Sequence, residues 1–378
     1  MRIGIDGLPL TQSLAGVGHY TLELATALQA GVNGDEVSVV SPRPFLNSIE
    51  SIAANRLRLT TEKINPITGR WWSIGLPRYL RRSMVDIFHG TNFEIPFQSV
   101  CPTVLTIHDL SLLLYPETHD RRRVWRARRR LPLMARKATM IITVSEAVRR
   151  EVHEVLKIPL EKIQTVHSAA RELFRPMEPD DCERIRTRLN ITDDFILYAG
   201  TIEPRKNLPV LVRAFAEISR SKPGLQLVFA GQKGWLMDEF YSVLRQSPAS
   251  KEVVFTGYLH DEELCALYSS CKLFVYPSRY EGFGFPPLEA MACGAPVIAG
   301  NIPSIQEVTG SAATLVSPQS WRELADSMLE LLEDAELRRQ MIVAGLARAK
   351  CFSWSATAEQ TRAVYCEAIE RFNRTAAS

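Results

Sequence analysis

The sequence predicts an α/β protein made of two doubly wound, Rossmann-like domains facing each other across a cleft. Three observations predict it. Short apolar runs without polar alternation recur along the chain, helix-period segments lie between them, and the alternation breaks once, near Phe174–Asp181. Continuous apolar runs mark strands buried on both faces, as in parallel sheets covered by helices. In the first half such runs are Arg2–Asp6, Glu36–Ser41, Met84–Phe88, Thr103–Ile107, Met140–Val144 and Lys162–Val166. In the second half they are Phe195–Ala199, Leu225–Ala230, Glu252–Thr256, Lys272–Tyr276, Pro296–Ile298 and Ala313–Val316. Helical spacing is clearest at Tyr20–Gln29, Leu208–Ile218, Asp261–Ser269 and Trp321–Leu332. The break reads Phe-Arg-Pro-Met-Glu-Pro-Asp-Asp, the proline and acid of an interdomain linker. Domains are therefore expected at 1–175 and 182–355, with a last helix at 356–378.

Length and composition agree. The 378 residues suit two domains at about 150 residues each. Hydrophobic residues make up 46% and charged residues 23%, which excludes a disordered, collagenous or coiled-coil chain. Runs such as Met140–Val144 fall far short of the roughly 20 apolar residues of a membrane span. A strand-like Ile-Gly-Ile-Asp follows Arg2 directly, so no signal peptide is expected. The seven cysteines are odd in number and form no C-x-x-C pair. That disfavours a disulfide framework or zinc site and points to the cytoplasm.

The net charge of +3 hides an asymmetry, +8 over residues 1–175 and −5 over 176–378. The basic half contains Arg121–Arg130, with seven arginines in ten residues. Such a run is either a solvated helix face or a patch for an anionic surface, lipid or nucleic acid. Trp125 and the apolar Leu131–Met134 favour lipid, at the inner face of the cell membrane.

Ligands of doubly wound sheets sit beyond the carboxyl ends of the strands. The most informative loop there runs from Pro277 to Gly294. Gly282 and Gly284 keep the backbone bare before a short helix that opens with two prolines and closes on glycine. Exposed N–H groups at such a helix start bind phosphate. Glu281 in the loop and Glu289, expected in the first helical turn, suit the vicinal hydroxyls of a sugar and a ribose. Dipole compensation is the plain alternative for Glu289. A second loop, Gly200-Thr-Ile-Glu-Pro-Arg-Lys-Asn207, places Arg205 and Lys206 before an amphipathic helix. A diphosphate is their natural partner; surface cations with Asn207 as an N-cap are the alternative.

Other loops carry weaker signals. Gly257 permits close approach beside Tyr258, whose backbone could meet a nucleobase edge. Gly16-Val-Gly18-His-Tyr20 opens a helix but lacks the full G-x-G-x-x-G, which disfavours NAD. It could still face a phosphate or sugar. His108, after Thr103–Ile107, is a candidate hydrogen-bond donor or acid/base. His89-Gly90-Thr91 and Ser145-Glu146 are expected in similar loops. The chain has no H-E-x-x-H, G-x-S-x-G, P-loop or D-x-D metal pair.

At these residues the chain resembles the retaining family-4 glycosyltransferases, also called glycosyltransferase group 1, which have the GT-B architecture. The resemblance covers nearly the whole chain. The signature, two glutamates separated by seven residues, is matched by Glu281 and Glu289. Gly200–Asn207, Thr106–Asp109 and the Gly-Val-Gly-His-Tyr turn are also similar. The resemblance implies that Arg205 and Lys206 hold a donor diphosphate and Glu289 the nucleotide ribose. It implies that Glu281 and the Gly282–Phe285 backbone, with Phe283, Gly284 and Phe285, hold the donor sugar. His108 would contact the sugar near the reacting carbon, and Gly16 and Gly18 would approach from the acceptor domain. Many relatives carry Arg after the glycine at position 200, where this chain has Thr201. The Thr-Ile-Glu-Pro-Arg-Lys-Asn variant resembles mannosyl- and rhamnosyltransferases of bacterial O-antigen assembly. That implies a GDP-sugar donor, a lipid-linked or oligosaccharide acceptor, and no cofactor or metal. The last helix would cross back to the first domain, as in the family.

Competing readings remain distinguishable. A phosphorylase would need a lysine placed for pyridoxal phosphate and a longer chain. A sugar-nucleotide epimerase would not release nucleotide diphosphate in response to a glycan acceptor. A nucleic-acid binder using Arg121–Arg130 would show salt-steep binding. A non-catalytic scaffold would not need intact glutamates and cations.

Overall fold

Among the described residues, thirteen strands form two parallel sheets, each with the order of a doubly wound fold. The computed structural model describes every residue except Ser13, Ala15, Val32, Asn33, Ala54, Asn55, Pro66 and Ser378. The first sheet contains β1 (Arg2–Asp6), β2 (Glu36–Ser41), β3 (Arg58–Thr61), β4 (Ile87–Gly90), β5 (Thr103–Ile107), β6 (Met140–Thr143) and β7 (Ile163–Thr165). Its order is β3-β2-β1-β4-β5-β6-β7. The second contains β8 (Phe195–Ala199), β9 (Gln226–Ala230), β10 (Val253–Gly257), β11 (Leu273–Tyr276), β12 (Val297–Gly300) and β13 (Thr314–Val316). Its order is β10-β9-β8-β11-β12-β13.

The central strands are the apolar runs. Every residue of β5, β6, β8 and β11 is buried, as a parallel strand covered on both faces requires. Two departures from the sequence reading have local causes. β3 went unread because it is an edge strand, Arg-Leu-Thr-Thr, exposed at both ends. The run at Met84 starts late: Met84 takes a left-handed conformation with φ 47°, and β4 begins at Ile87. His89 and Gly90 therefore lie inside β4 instead of in the loop after it.

The chain forms two compact units. The first comprises Met1–Leu113, Arg122–Ser168 and Ser353–Ser378; the second comprises Leu114–Arg121 and Ala169–Phe352. Residues 114–121 and 169–175, expected in the first domain, belong to the second unit. Side chains explain why. The Tyr115 ring lies 5.0 Å from that of Tyr280, and Trp235 Nε1 donates to the Thr118 carbonyl at 2.7 Å. Arg171 makes a bidentate pair with Asp261 at 2.7 and 2.8 Å. The Pro-acid stretch is anchored inside this unit too, with Met177 N donating to Ser269 Oγ at 3.2 Å.

The last helix, Trp354–Ala377, packs in the first unit, with Tyr365 and Ala368 fully buried. Its polar tie is a buried imidazole. His89 Nδ1 lies 2.7 Å from Tyr365 Oη, and Nε2 lies 2.7 Å from Thr106 Oγ1. Burial pushes His89 down to about 3, so the ring is neutral, with one donor and one acceptor nitrogen matched to two hydroxyls. Tyr365→Phe strands one of those nitrogens in the core. We expect a loss of about 1–3 kcal/mol in denaturant unfolding at neutral pH; an unchanged midpoint would remove this role.

Candidate active site

In the second sheet the strand order reverses between β8 and β11. The crevice at such a switch point lies between the loops that leave the two adjacent strands. Here these are Gly200–Asn207 and Pro277–Gly284, the two motifs singled out in the sequence. Backbone bonds hold them together: Arg279 N donates to the Arg205 carbonyl at 3.0 Å, and Arg205 Nη1 to the Tyr280 carbonyl at 3.0 Å. Asn207 caps no helix through its side chain; its Nδ2 donates to the Pro277 and Pro318 carbonyls.

Three of the expected residues meet directly. Lys206 Nζ donates to Glu281 Oε1 at 2.6 Å and to Tyr276 Oη at 2.7 Å, and Tyr276 Oη donates to the same carboxylate oxygen at 3.0 Å. Arg205 Nη1 donates to Glu281 Oε2 at 2.9 Å, and Nη2 to Glu203 Oε1 at 2.8 Å. Lys206 is 7% exposed and Glu281 9%, so these are desolvated charges that require partners. Burial pushes Glu281 upward, but Arg205 and Lys206 together outweigh it and hold the carboxyl at about 2. Burial pulls Lys206 below its ordinary value, against the pull of Glu281. Glu281 lies beside Arg205 and Lys206 because β8 and β11 are neighbours.

Glu289 belongs to a second group. The helix it sits on is Phe285–Ala292, with no acid in its first turn, so Glu289 lies in the second turn and dipole compensation does not explain it. Burial pushes its carboxyl up to about 8, the Arg171 guanidinium and Tyr268 hydroxyl hold it back, and Asp261 adds to the rise. Gly284 caps this helix at φ 111°, and a Cβ there would lie 2.5 Å from Ile305 Cδ1. Only glycine fits on both counts. Phe283 is buried and Phe285 half-buried. Gly200 follows β8, and Gly257 ends β10 beside Tyr258, which is exposed.

The remaining expected residues lie in the first unit. The Gly16–Ala30 helix starts at Gly16, which has open space about it. Gly18 is different, since a Cβ there would approach Leu14 Cδ2 to 2.8 Å. His108 Nε2 donates to the Thr91 carbonyl at 2.8 Å, and burial pulls its pKa down. A neutral ring with its Nε2 proton committed offers Nδ1 as an acceptor, the base side of the acid/base expectation. Ser145 caps the Glu146–Leu156 helix.

Sequence reasoning missed several partners. Glu203 stood inside a quoted motif and was given no role. Tyr276, the last residue of β11, read as core. Arg171 and Asp261 are far apart in the chain, so nothing in the sequence pairs them. Asp6, at the carboxyl end of β1, is buried and pushed up to about 7; its place after an apolar run was the available signal. Among the described residues no three His, Cys, Asp or Glu side chains are grouped to hold a metal ion.

Residues 181–348 match the family described as glycosyl transferases group 1, and residues 14–170 match glycosyltransferase family 4. The chain is 31% identical to the O-antigen chain mannosyltransferase B of Escherichia coli, over 97% of this chain and 99% of that one. The chain belongs to the group 1 glycosyltransferases. It is also 34% identical, over 63% of its length, to the serotype-specific mannosyltransferase WbdA of Escherichia coli, of which the match spans 29%. Anabaena HepE in complex with UDP-glucose superposes with a TM-score of 0.77 at 17% identity, covering 98% of this chain and 99% of that one. The fold of this glycosyltransferase is GT-B, with two Rossmann-like domains of seven and six strands.

The two glutamates differ in protonation, and that is measurable. Glu289 in the folded protein titrates above its ordinary 4.5, at about 8. The folded state therefore keeps a proton that the unfolded chain gives up, and stability falls as pH rises through that window. Gln cannot ionise. The melting temperature of ligand-free Glu289→Gln should gain on the parent between pH 4.5 and pH 8; a constant gap would contradict the buried, protonated carboxyl.

Proposed function

We propose that this glycosyltransferase moves a mannosyl group from GDP-mannose onto a glycan of O-antigen type, with retention of anomeric configuration. A GDP-deoxyhexose such as a rhamnosyl donor is the second candidate. The observation that carries the reading is the Glu281–Lys206–Arg205 cluster at the switch point, in a chain whose full-length relative is an O-antigen mannosyltransferase. Two cations held in place before substrate arrives are the arrangement that stabilises a leaving diphosphate without reorganisation. Arg205 gives a planar fork and Lys206 a point charge. Glu281 keeps both oriented and uses its remaining lone pairs for donor-sugar hydroxyls. Pro286 and Pro287 have no N–H, so at the start of the Phe285–Ala292 helix it is the Gly284 and Phe285 N–H groups that add donors for phosphate. Glu289 takes the ribose, and His108 Nδ1 accepts from a sugar hydroxyl. The acceptor hydroxyl attacks the face the diphosphate leaves, and a phosphate oxygen takes its proton. No step needs a metal, because these cations carry the neutralisation.

No described helix is long and apolar enough to cross a membrane. We place the enzyme in the cytoplasm, acting on a lipid-linked or oligosaccharide acceptor, with peripheral contact to anionic lipid through Arg121–Arg130. Trp125 on that helix is 59% exposed, with the Arg129 guanidinium 4.3 Å over its ring. Nucleic acid is not a partner in this reading.

Two measurements test it. GDP-mannose should raise the melting temperature more than UDP-, ADP- or dTDP-sugars, and the product of an α-linked donor should be the α anomer. A β product would overturn retention. Lys206→Ala should lower turnover by about a hundredfold or more, as should Glu281→Gln, which keeps the shape but not the charge. Near-normal kcat in both would remove the cluster from the mechanism.

A further inference from the structure

The first unit carries a second concentration of positive charge that the transfer reaction does not use. A hollow of about 790 Å³ is lined by Lys137, Lys162, Arg371 and Arg374, with Glu367 the one acid on its wall among the described residues. Thr139 and Lys162 line it just before β6 and β7. It therefore opens at the amino ends of the strands, the end opposite the His108 loop.

The cations are held by backbone, and the acid is already taken. Lys137 Nζ donates to the Phe97 carbonyl at 3.0 Å, and Lys162 Nζ to the Arg136 carbonyl at 2.7 Å. Arg371 Nε and Nη2 both donate to Glu367 Oε1, at 3.0 and 2.6 Å. Burial, and then the nearby Arg371, pull Lys162 below its ordinary value.

The hollow continues the arginine helix. Arg122, Arg126, Arg129, Leu133 and Lys137 are spaced by four, three, four and four residues, which puts them on one helical face. All five are exposed. The same face that carries arginines and an apolar Leu133 thus ends by placing Lys137 in the hollow. A polyanion in solution would need only the charges. An apolar residue among them, with the exposed Trp125 beside, fits the interface of a bilayer.

We infer that this hollow is a binding site for the phosphate of an anionic phospholipid headgroup, seated there while the arginine helix lies along the membrane surface. The inference rests on the membrane contact proposed above and adds a defined headgroup site to it.

Cosedimentation of the full chain with phosphatidylglycerol–phosphatidylcholine vesicles at about 0.1 M salt tests it. Lys162→Gln/Arg374→Gln should weaken vesicle binding by about tenfold or more. Lys162→Arg should retain it, and turnover on a water-soluble acceptor should be unchanged in all three forms. Arg374→Gln alone, at an exposed residue, guards against misfolding and should weaken binding in the same direction. Full binding by the double variant, with loss in Arg126→Gln/Arg129→Gln, would overturn the hollow and leave the helix as the contact. Absence of vesicle binding by the parent protein would overturn both. Binding of inorganic pyrophosphate or duplex DNA at the hollow, without vesicle binding, would overturn lipid as the ligand.

Discussion

A buried carboxylate, a buried lysine and a half-buried arginine, paired with one another, organise this candidate active site. Removing Glu281, Lys206 and Arg205 from water costs several kcal/mol per ion, which only close pairing offsets. The pairing is close: both oxygens of Glu281 are engaged, one by Lys206 and Tyr276, the other by Arg205. Arg205 also spans to Glu203, so two acids balance two cations. Stability and function therefore draw on the same bonds. In the proposed reaction, the geometry that keeps the ligand-free protein folded is also the geometry that a diphosphate meets.

The sheet topology makes such pairing possible. β8 and β11 are adjacent but far apart in sequence, and the strand order turns outward from them on both sides. Loops leaving neighbouring parallel strands emerge side by side at one end. A loop rich in cations and a loop rich in glycine and acid must then meet, whatever lies in the 70 or so residues between them. The first unit repeats the topology, reversing between β1 and β4, and buries Asp6 at the equivalent place.

Much of this was legible in the sequence, for definite reasons. Buried parallel strands are unbroken apolar runs, so twelve of the thirteen were readable, and chemistry-bearing residues follow them. Glu281, Lys206 and Arg205 were visible because they stand in loops that follow buried strands, beside glycines and at helix starts. What escaped depended on contacts between distant residues. β3 is an edge strand, and its polar sequence does not distinguish it from a loop. Nothing in residues 114–121 announces that Tyr115 will meet Tyr280 or that Trp235 will bond Thr118. Glu289 was found, but its helix starts at Phe285, and one turn's difference changes its meaning. An acid in the first turn faces a helix dipole, whereas one in the second turn, beside Arg171 and Tyr268, is buried on its own account.

The charge balance of the cluster also constrains how a donor is received. Two cations and two acids leave no net charge, so a diphosphate cannot be drawn in by a bare positive pocket. It must share donors that are already in use. Arg205 can do so because a guanidinium carries five N–H groups in a fixed fork, enough for two carboxylates and a phosphate at once. Lys206 can do so too: of its three protons one goes to Glu281 and one to Tyr276, which leaves the third for a phosphate oxygen. The tyrosine hydroxyl braces the pair: it donates to Glu281 and accepts from Lys206. If a phosphate oxygen takes one lysine proton, Tyr276 still holds the carboxylate. A core aromatic at the end of a strand thus ties lysine to carboxylate, so its hydroxyl, and not its ring alone, holds the cluster together.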